Sequence, residues 1–310
     1  MPLVLTSCTN RKRTAPPQAL MARGIAKGSL ESVAAEWSER LISAKPIATV
    51  ADLYCGRAFR QAEDAAAKAN AALYIISAGL GMVSAERTVP SYSLTVVPRA
   101  QDSILSRIDG NHSAAEWWEA LSRSSPFSLC LNEVARRHQG LILAALPATY
   151  LAMIARDLGA LPEDTRSRLR IFNLGGSAAI PATLRDYLMP YDDRFDGADA
   201  PLPGTRGDFA QRALWHFVKA VLPSSPKGDS SEHAAAIDRL LGLLQPRQMP
   251  VRRTLSDGEI TALIHRHWLD ASGQSSRMLR YLRDTLGVSC EQGRFKDLFN
   301  AAKHERGEVA

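Results

Sequence analysis

Apolar positions along this chain follow two alternating rhythms. Short β-rich runs at Leu3–Ser7, Leu73–Ser77, Leu141–Leu146 and Arg170–Leu174 each end in polar or glycine-rich turns, and Ile47–Leu53 is a weaker fifth. Between them apolar residues recur every three or four positions over Ser32–Ile42, Arg57–Asn70, Ala114–Arg123, Leu129–His138 and Thr149–Leu158. That spacing gathers them on one helix face. Strands alternating with helices predict an α/β fold, a largely parallel sheet with helices on both faces. Ligands of such sheets collect beyond the carboxyl ends of the strands, so the segments just after each strand carry the candidate chemistry.

The pattern changes after residue 222. Residues 223–232 are polar, bear Pro223, Pro226 and Gly228, and read as a linker between an α/β domain at 1–222 and a helical module at 233–310. In that module Ser256 and Glu259 form a capping-box pattern ahead of Ile260, Leu263, Ile264 and Trp268. A second helix over Ser275–Leu286 turns Met278, Leu279, Leu282 and Leu286 inward and stops at Gly287; a third buries Phe295, Leu298, Phe299 and Ala302. Three short helices with tight turns resemble a helix-turn-helix module. Their solvent side carries Arg277, Arg280, Arg283, Arg294, Lys296 and Lys303, a face suited to phosphates, although a basic solvated face also occurs on protein-binding modules.

Charge sharpens this picture. The net charge of +6 favours polyanionic partners, and the segment Met1–Leu30 holds Arg11, Lys12, Arg13, Arg23 and Lys27 with no acidic residue. No apolar run approaches the ~20 residues of a membrane helix, and the basic cluster follows the first apolar run, the reverse of a secretory signal. The four cysteines are scattered, without Cys-x-x-Cys or a histidine at ligand spacing. A cytoplasmic protein with no metal and no cofactor is the expectation.

Four strand ends hold the candidate site. The first opens into Ser7-Cys8-Thr9-Asn10-Arg11-Lys12, whose hydroxyls, amide and cations can hold an anion or a base edge; a solvated polar loop is the plain alternative. In the second, Asp52 precedes Tyr54, Gly56 and Arg57: an acid to orient water, a ring to stack and a guanidinium to clamp phosphate, unless Asp52 merely caps a helix. The third is Ser77-Ala78-Gly79-Leu80-Gly81, followed by Pro90-Ser91-Tyr92; it lacks the last glycine of a dinucleotide fingerprint. The fourth is Asn173-Leu174-Gly175-Gly176-Ser177, where a helix start can receive phosphate. His216, among Leu214, Trp215 and Phe217, reads as a core histidine rather than a catalyst.

Together Val4–Thr9, Asp52–Phe59, Ile76–Val83 and Pro90-Ser91-Tyr92 resemble the YaaA-like family, covering residues 3–95 well and 140–220 loosely. The resemblance implies a DNA-glycosylase-like α/β core and cleavage of an N-glycosidic bond in DNA, and one phage-defence branch points to glucosylated hydroxymethylcytosine as the base removed. Gly79-Leu80-Gly81 departs from the usual spacing, and no Asp-Pro water-activating motif is present. On this reading Asp52, with Asn10, is the catalytic candidate, because a carboxylate can stabilise an oxocarbenium-like sugar and position water. Ser7, Tyr54, Ser77, Tyr92, Asn173 and Ser177 would surround the extruded base and sugar. Arg11, Lys12 and Arg57, with Arg277, Arg280 and Arg294 of the helical module, would hold DNA phosphates. Lyase chemistry would need a pocket lysine, for which Lys12 is the nearby candidate. Two rivals make different expectations: a transferase on free nucleotides works without polymer, and a non-enzymatic DNA-binding stress protein binds regardless of Asp52→Asn.

Overall fold

The strand Leu3–Ser7 (β1) is fully interior, and its side chains alternate between two cores. Leu3 and Leu5 join one apolar cluster and Val4 the other, as the two-residue period of a strand demands. β1 is therefore the middle of a five-stranded sheet with both faces covered.

The computed structural model describes residues 1–174, 180–246 and 251–307. After β1 come α1 (Leu30–Ser43), β2 (Ala48–Thr49), α2 (Val50–Leu53), α3 (Arg57–Lys68), β3 (Ala72–Ser77), β4 (Gly81–Ser84) and β5 (Thr88–Val89). Next are α4 (Ala114–Ser124), α5 (Leu131–Arg137), β6 (Ile142–Ala145), α6 (Ala148–Gly159), α7 (Glu163–Arg166), β7 (Leu169–Phe172), α8 (Phe209–His216) and α9 (Ser230–Leu241). The sheet order is β4-β3-β1-β6-β7, parallel except for the antiparallel edge pair β3–β4. The α/β expectation holds. Trp37 of α1, Trp117 of α4 and Ile154 of α6 pack on the Leu3/Leu5 face, while Ala65 of α3, Leu214 of α8 and Ile237 of α9 pack with Val4 on the other.

Two expectations need correction. The run Ile47–Leu53 is not a fifth strand of the sheet. It gives the two-residue β2, which pairs with β5, and then turns into α2 because the Thr49 hydroxyl accepts the Asp52 amide at 3.1 Å and caps the helix. Residues 223–232 are not a spacer either. The chain divides into two compact units, Met1–Arg247 and Gln248–Ala310, so α9 belongs to the first, where Ile237 and Leu241 are wholly buried. Polar composition concealed a packed turn: the Gly228 carbonyl accepts from Arg170 at 2.8 Å, and a Cβ on Gly228 would come within 2.3 Å of Ser225 Oγ.

His233 of α9 locks that turn. Arg170 Nε donates to His233 Nδ1 at 2.8 Å, which leaves the proton on Nε2, and Nε2 donates to the Ser225 carbonyl at 2.7 Å. Burial pushes the His233 pKa below its ordinary value, against the Ser225 hydrogen bond, with Arg170 adding to the depression. A histidine held neutral in the fold stabilises it fully above its unfolded pKa of ~6.5, and that contribution declines as pH falls below. Burial depresses His216 in the same direction. The urea midpoint of the protein is expected to drop between pH 7.5 and 5, and to drop less in His233→Gln, which can still accept and donate at the two positions. An unchanged slope in that variant would remove His233 from the acid response.

The second unit contains β8 (Arg253–Thr254), α10 (Asp257–Arg266), α11 (Ser275–Arg280), β9 (Val288–Ser289) and α12 (Gln292–Glu305). The Ser256–Glu259 capping box forms, and Gly287 takes the left-handed φ of +62° that ends the second helical stretch. Ile260, Ile264, Met278, Leu282, Phe295 and Phe299 make its core, with Trp268 stacked on Phe299 at 5.0 Å. No helix among the described residues is long and apolar enough to cross a membrane.

Candidate functional site

The chain runs from β1 to β3 on one side of the sheet's centre and later returns to β6 on the other; in open α/β sheets such a reversal is where a ligand crevice is expected, here at the carboxyl ends of β1 and β6. Two separate sets of side-chain contacts lie near these strand ends. Gln211 of α8 reaches across the strand ends, its Nε2 donating to Thr6 Oγ1 at 3.1 Å and the Ala145 carbonyl at 3.1 Å, with Ser7 Oγ at 3.4 Å. Gln211 is 1% exposed, and its Oε1 has no hydrogen-bond partner among the described residues. Just past β1, Cys8 Sγ lies 3.1 Å from Tyr150 Oη, which comes from the start of α6.

On the β3 side the loop after β1 is laced to the segment after α2. Arg13 donates its amide to the Leu53 carbonyl and Cys55 to that of Arg11, and Lys12 is thereby set opposite Tyr54. Lys12 Nζ sits 4.2 Å from the Tyr92 ring centroid and 5.5 Å from that of Tyr54, and donates to the Thr9 carbonyl at 3.3 Å. Beneath it runs a buried chain: Tyr54 and Tyr92 hydroxyls 2.7 Å apart, then Tyr92 and Ser77 at 2.6 Å, with Ser77 Oγ also accepting the amides of Gly79 and Leu80. Burial, reinforced by Cys8, drives the Tyr54, Tyr92 and Tyr150 hydroxyls well above the ordinary tyrosine range, so all three stay protonated donors at neutral pH. Burial pulls Lys12 the other way, below its ordinary value, against the opposing pull of Cys8 and Asp102. No carboxylate pairs with Lys12 among the described residues. The arrangement therefore offers a half-buried amine, a thiol and hydroxyl donors in one crevice.

Several sequence assignments change. Among the described residues Asp52 bonds to none of these groups. It is exposed on α2, its carboxylate accepts from the Thr49 hydroxyl at 2.7 Å, and its charge acts on Glu63 of α3. Nor does it cap a helix: Thr49 is the N-cap of α2, and Asp52 sits inside the first turn as the residue whose amide Thr49 receives. Tyr54 and Tyr92 join the site but not as open stacking platforms, since they are 0% and 1% exposed. Ser77 is equally interior. Asn173 is 3% exposed and donates to the Leu146 carbonyl at 2.7 Å, tying the ends of β7 and β6 together. Ser177 lies outside the described residues. Ser7, at 9% exposure, stays at the crevice floor, whereas Asn10 and Arg11 are exposed at its rim.

Arg57, at the first turn of α3, pairs with Asp208. Burial alone would raise the Asp208 carboxyl, but the Thr205 amide and the Arg212 and Arg57 guanidiniums hold it below its ordinary value. In the second unit Arg294 is committed to Asp257 at 2.7 Å and the Leu255 carbonyl, and Arg277 to Ser272 Oγ at 3.2 Å. Arg280 is exposed. His216 shares a 2.8 Å hydrogen bond with Tyr191 Oη inside an aromatic cluster, the core role expected of it.

Sequence reasoning passed over Tyr150 and Gln211, neither of which stands in a polar strand end; Cys8 stood in the right segment without a role. Among the described residues no group of three or more His, Cys, Asp or Glu is placed to hold a metal ion. No protein-family model, curated protein or solved structure matches the chain, so the α/β fold and this crevice stand on the structure alone.

Proposed function

We propose that this chain is a DNA glycosylase that removes a modified base, with Lys12 rather than Asp52 at its chemical centre. The carrying observation is the Lys12 amine, half-buried over Tyr92 at the carboxyl end of β1, flanked by exposed Arg11 and Arg13 and lacking a paired carboxylate among the described residues. Breaking an N-glycosidic bond sends its electron pair onto the departing base. A cation in a low-dielectric crevice stabilises that developing negative charge better than it stabilises the neutral ground state. The cation-rich segment around it draws in a polyanion, and the motif resemblance supports a modified cytosine as the base. The basic helices of the second unit would add contacts independent of sequence.

The test is incubation with matched duplexes carrying plain, hydroxymethylated and glucosylated cytosine, then alkali, which breaks the strand at abasic sites. Breaks are expected at the glucosylated positions, at a rate reduced about 10²–10³-fold in Lys12→Met, the loss typical of removing one preorganised charge-stabilising group. Asp52→Asn is expected to retain wild-type cleavage within a factor of about three, because the exposed Asp52 carboxylate accepts from the Thr49 hydroxyl and bonds none of the groups around Lys12 among the described residues. Absence of breaks on every duplex, with salt-sensitive binding retained, would end this reading in favour of a DNA-binding protein.

A further inference from the structure

We propose a second activity for the same crevice: Lys12 forms a Schiff base with the aldehyde of an abasic deoxyribose and cleaves the strand on its 3′ side. This deepens the glycosylase reading, on which it rests for the nucleic-acid substrate alone. Three observations carry it. Lys12 Nζ has only one protein hydrogen-bond acceptor, the Thr9 carbonyl at 3.3 Å, and no ion pair among the described residues, so its nitrogen is not engaged by a carboxylate. The pairing of residues 11–13 with 53–55 fixes the direction of the side chain across the Tyr92 ring. Finally, the side chain is half-buried, open to a ligand yet removed from bulk water.

Desolvation of that kind enlarges the neutral, nucleophilic fraction of an amine, the form that makes the imine, whereas base release draws on the protonated form of the same side chain. Of the other lysines, Lys219 lies over the Trp215 ring at 4.6 Å. The chemistry balances without a cofactor. The neutral amine adds to C1′ of the ring-opened sugar, and the carbinolamine takes up a proton from solvent and loses one water to give the protonated imine. That imine acidifies the C2′ hydrogen, which passes to solvent as the C3′–O bond breaks and the 3′ phosphate leaves with the bonding electrons. Water then hydrolyses the conjugated imine, which releases an unsaturated aldehyde and regenerates Lys12.

The experiment uses the full chain with a duplex containing one preformed abasic site, in sodium cyanoborohydride, which reduces an imine to a stable amine. A covalent protein–DNA adduct is expected, mapped by peptide mass spectrometry to Lys12. Its formation should fall at least tenfold in Lys12→Arg, which keeps the positive charge, and persist in Asp52→Asn. The trapping rate should also level off at a pH below the ordinary lysine range. An adduct on another amine, or none, overturns the inference. If modified bases are released but nothing is trapped, the glycosylase reading survives alone; if abasic DNA is trapped at Lys12 while no base is ever released, the lyase stands and the glycosylase reading falls.

Discussion

Arg212→Met is expected to destabilise the protein by about 3–5 kcal/mol, read as a lower urea midpoint at unchanged slope. Arg212 is 0% exposed. Its guanidinium donates to Asp208 at 2.9 Å, to Asp196, and to the carbonyls of Leu202 at 2.9 Å and Thr205 at 3.1 Å. Phe195 and Phe209 lie against it at 5.6 and 5.4 Å from their ring centroids. Methionine fills much of the space but removes the donor that answers two carboxylates and two carbonyls, and buried acceptors left without donors cost far more than the net worth of the bonds they made. Lysine should rescue less than half of the loss, since one ammonium cannot reproduce a planar fork directed at four acceptors. A cost below about 1 kcal/mol would mean that water or a neighbouring cation replaces Arg212 easily.

Gly79→Ala should damage stability and site together. A Cβ there would stand 2.4 Å from Tyr92 Cε2 and 2.6 Å from Cδ2, closer than any relaxed contact. Neither side can retreat freely: the Gly79 carbonyl accepts from Trp37 Nε1 at 2.7 Å, and Tyr92 is held by both Tyr54 and Ser77. Overpacking of this kind costs about 1–3 kcal/mol. Because Tyr92 is also the ring beneath Lys12, any loss of base release or imine trapping should exceed what the unfolded fraction explains. A double-mutant cycle with Tyr92→Val separates the effects. The smaller side chain should recover stability beyond additivity, while activity stays low. Additive stabilities would show that the alanine clashes elsewhere.

The sheet was legible because both cores obey strict periods. Leu3 and Leu5 against Val4 announce a doubly covered strand, and Ile260, Ile264 and Trp268 announce a helix with one buried face. What escaped was decided by hydrogen bonds that composition does not report. Gly228 and its serines looked like spacer until Arg170 and His233 occupied their carbonyls. Asp52 had the right residue type at the right place in a motif, but Thr49, three residues earlier, caps α2 through the Asp52 amide and donates its hydroxyl to the Asp52 carboxylate. Lys12 was legible as a charge, not as a buried amine, since its surroundings come from Tyr54 and Tyr92, distant in sequence. Gln211 gave no local signal at all, as its partners lie at the opposite end of the unit.

That last contact bears on how the protein is made. Gln211 meets Thr6 across a sequence separation of 205 residues, and β1 cannot be flanked on both sides until β3 and β6 have also been synthesised. On the ribosome, β1 therefore leaves the exit tunnel as an unpaired apolar strand and waits, at roughly 5–20 residues per second, for about ten to forty seconds before α8 can close over it. During that interval Leu3-Val4-Leu5 is a sticky edge available to chaperones or to neighbouring nascent chains. Slowing translation ahead of α8 should lengthen the exposure and lower the soluble yield, whereas the mature fold, with β1 sealed at its centre, should show no such liability.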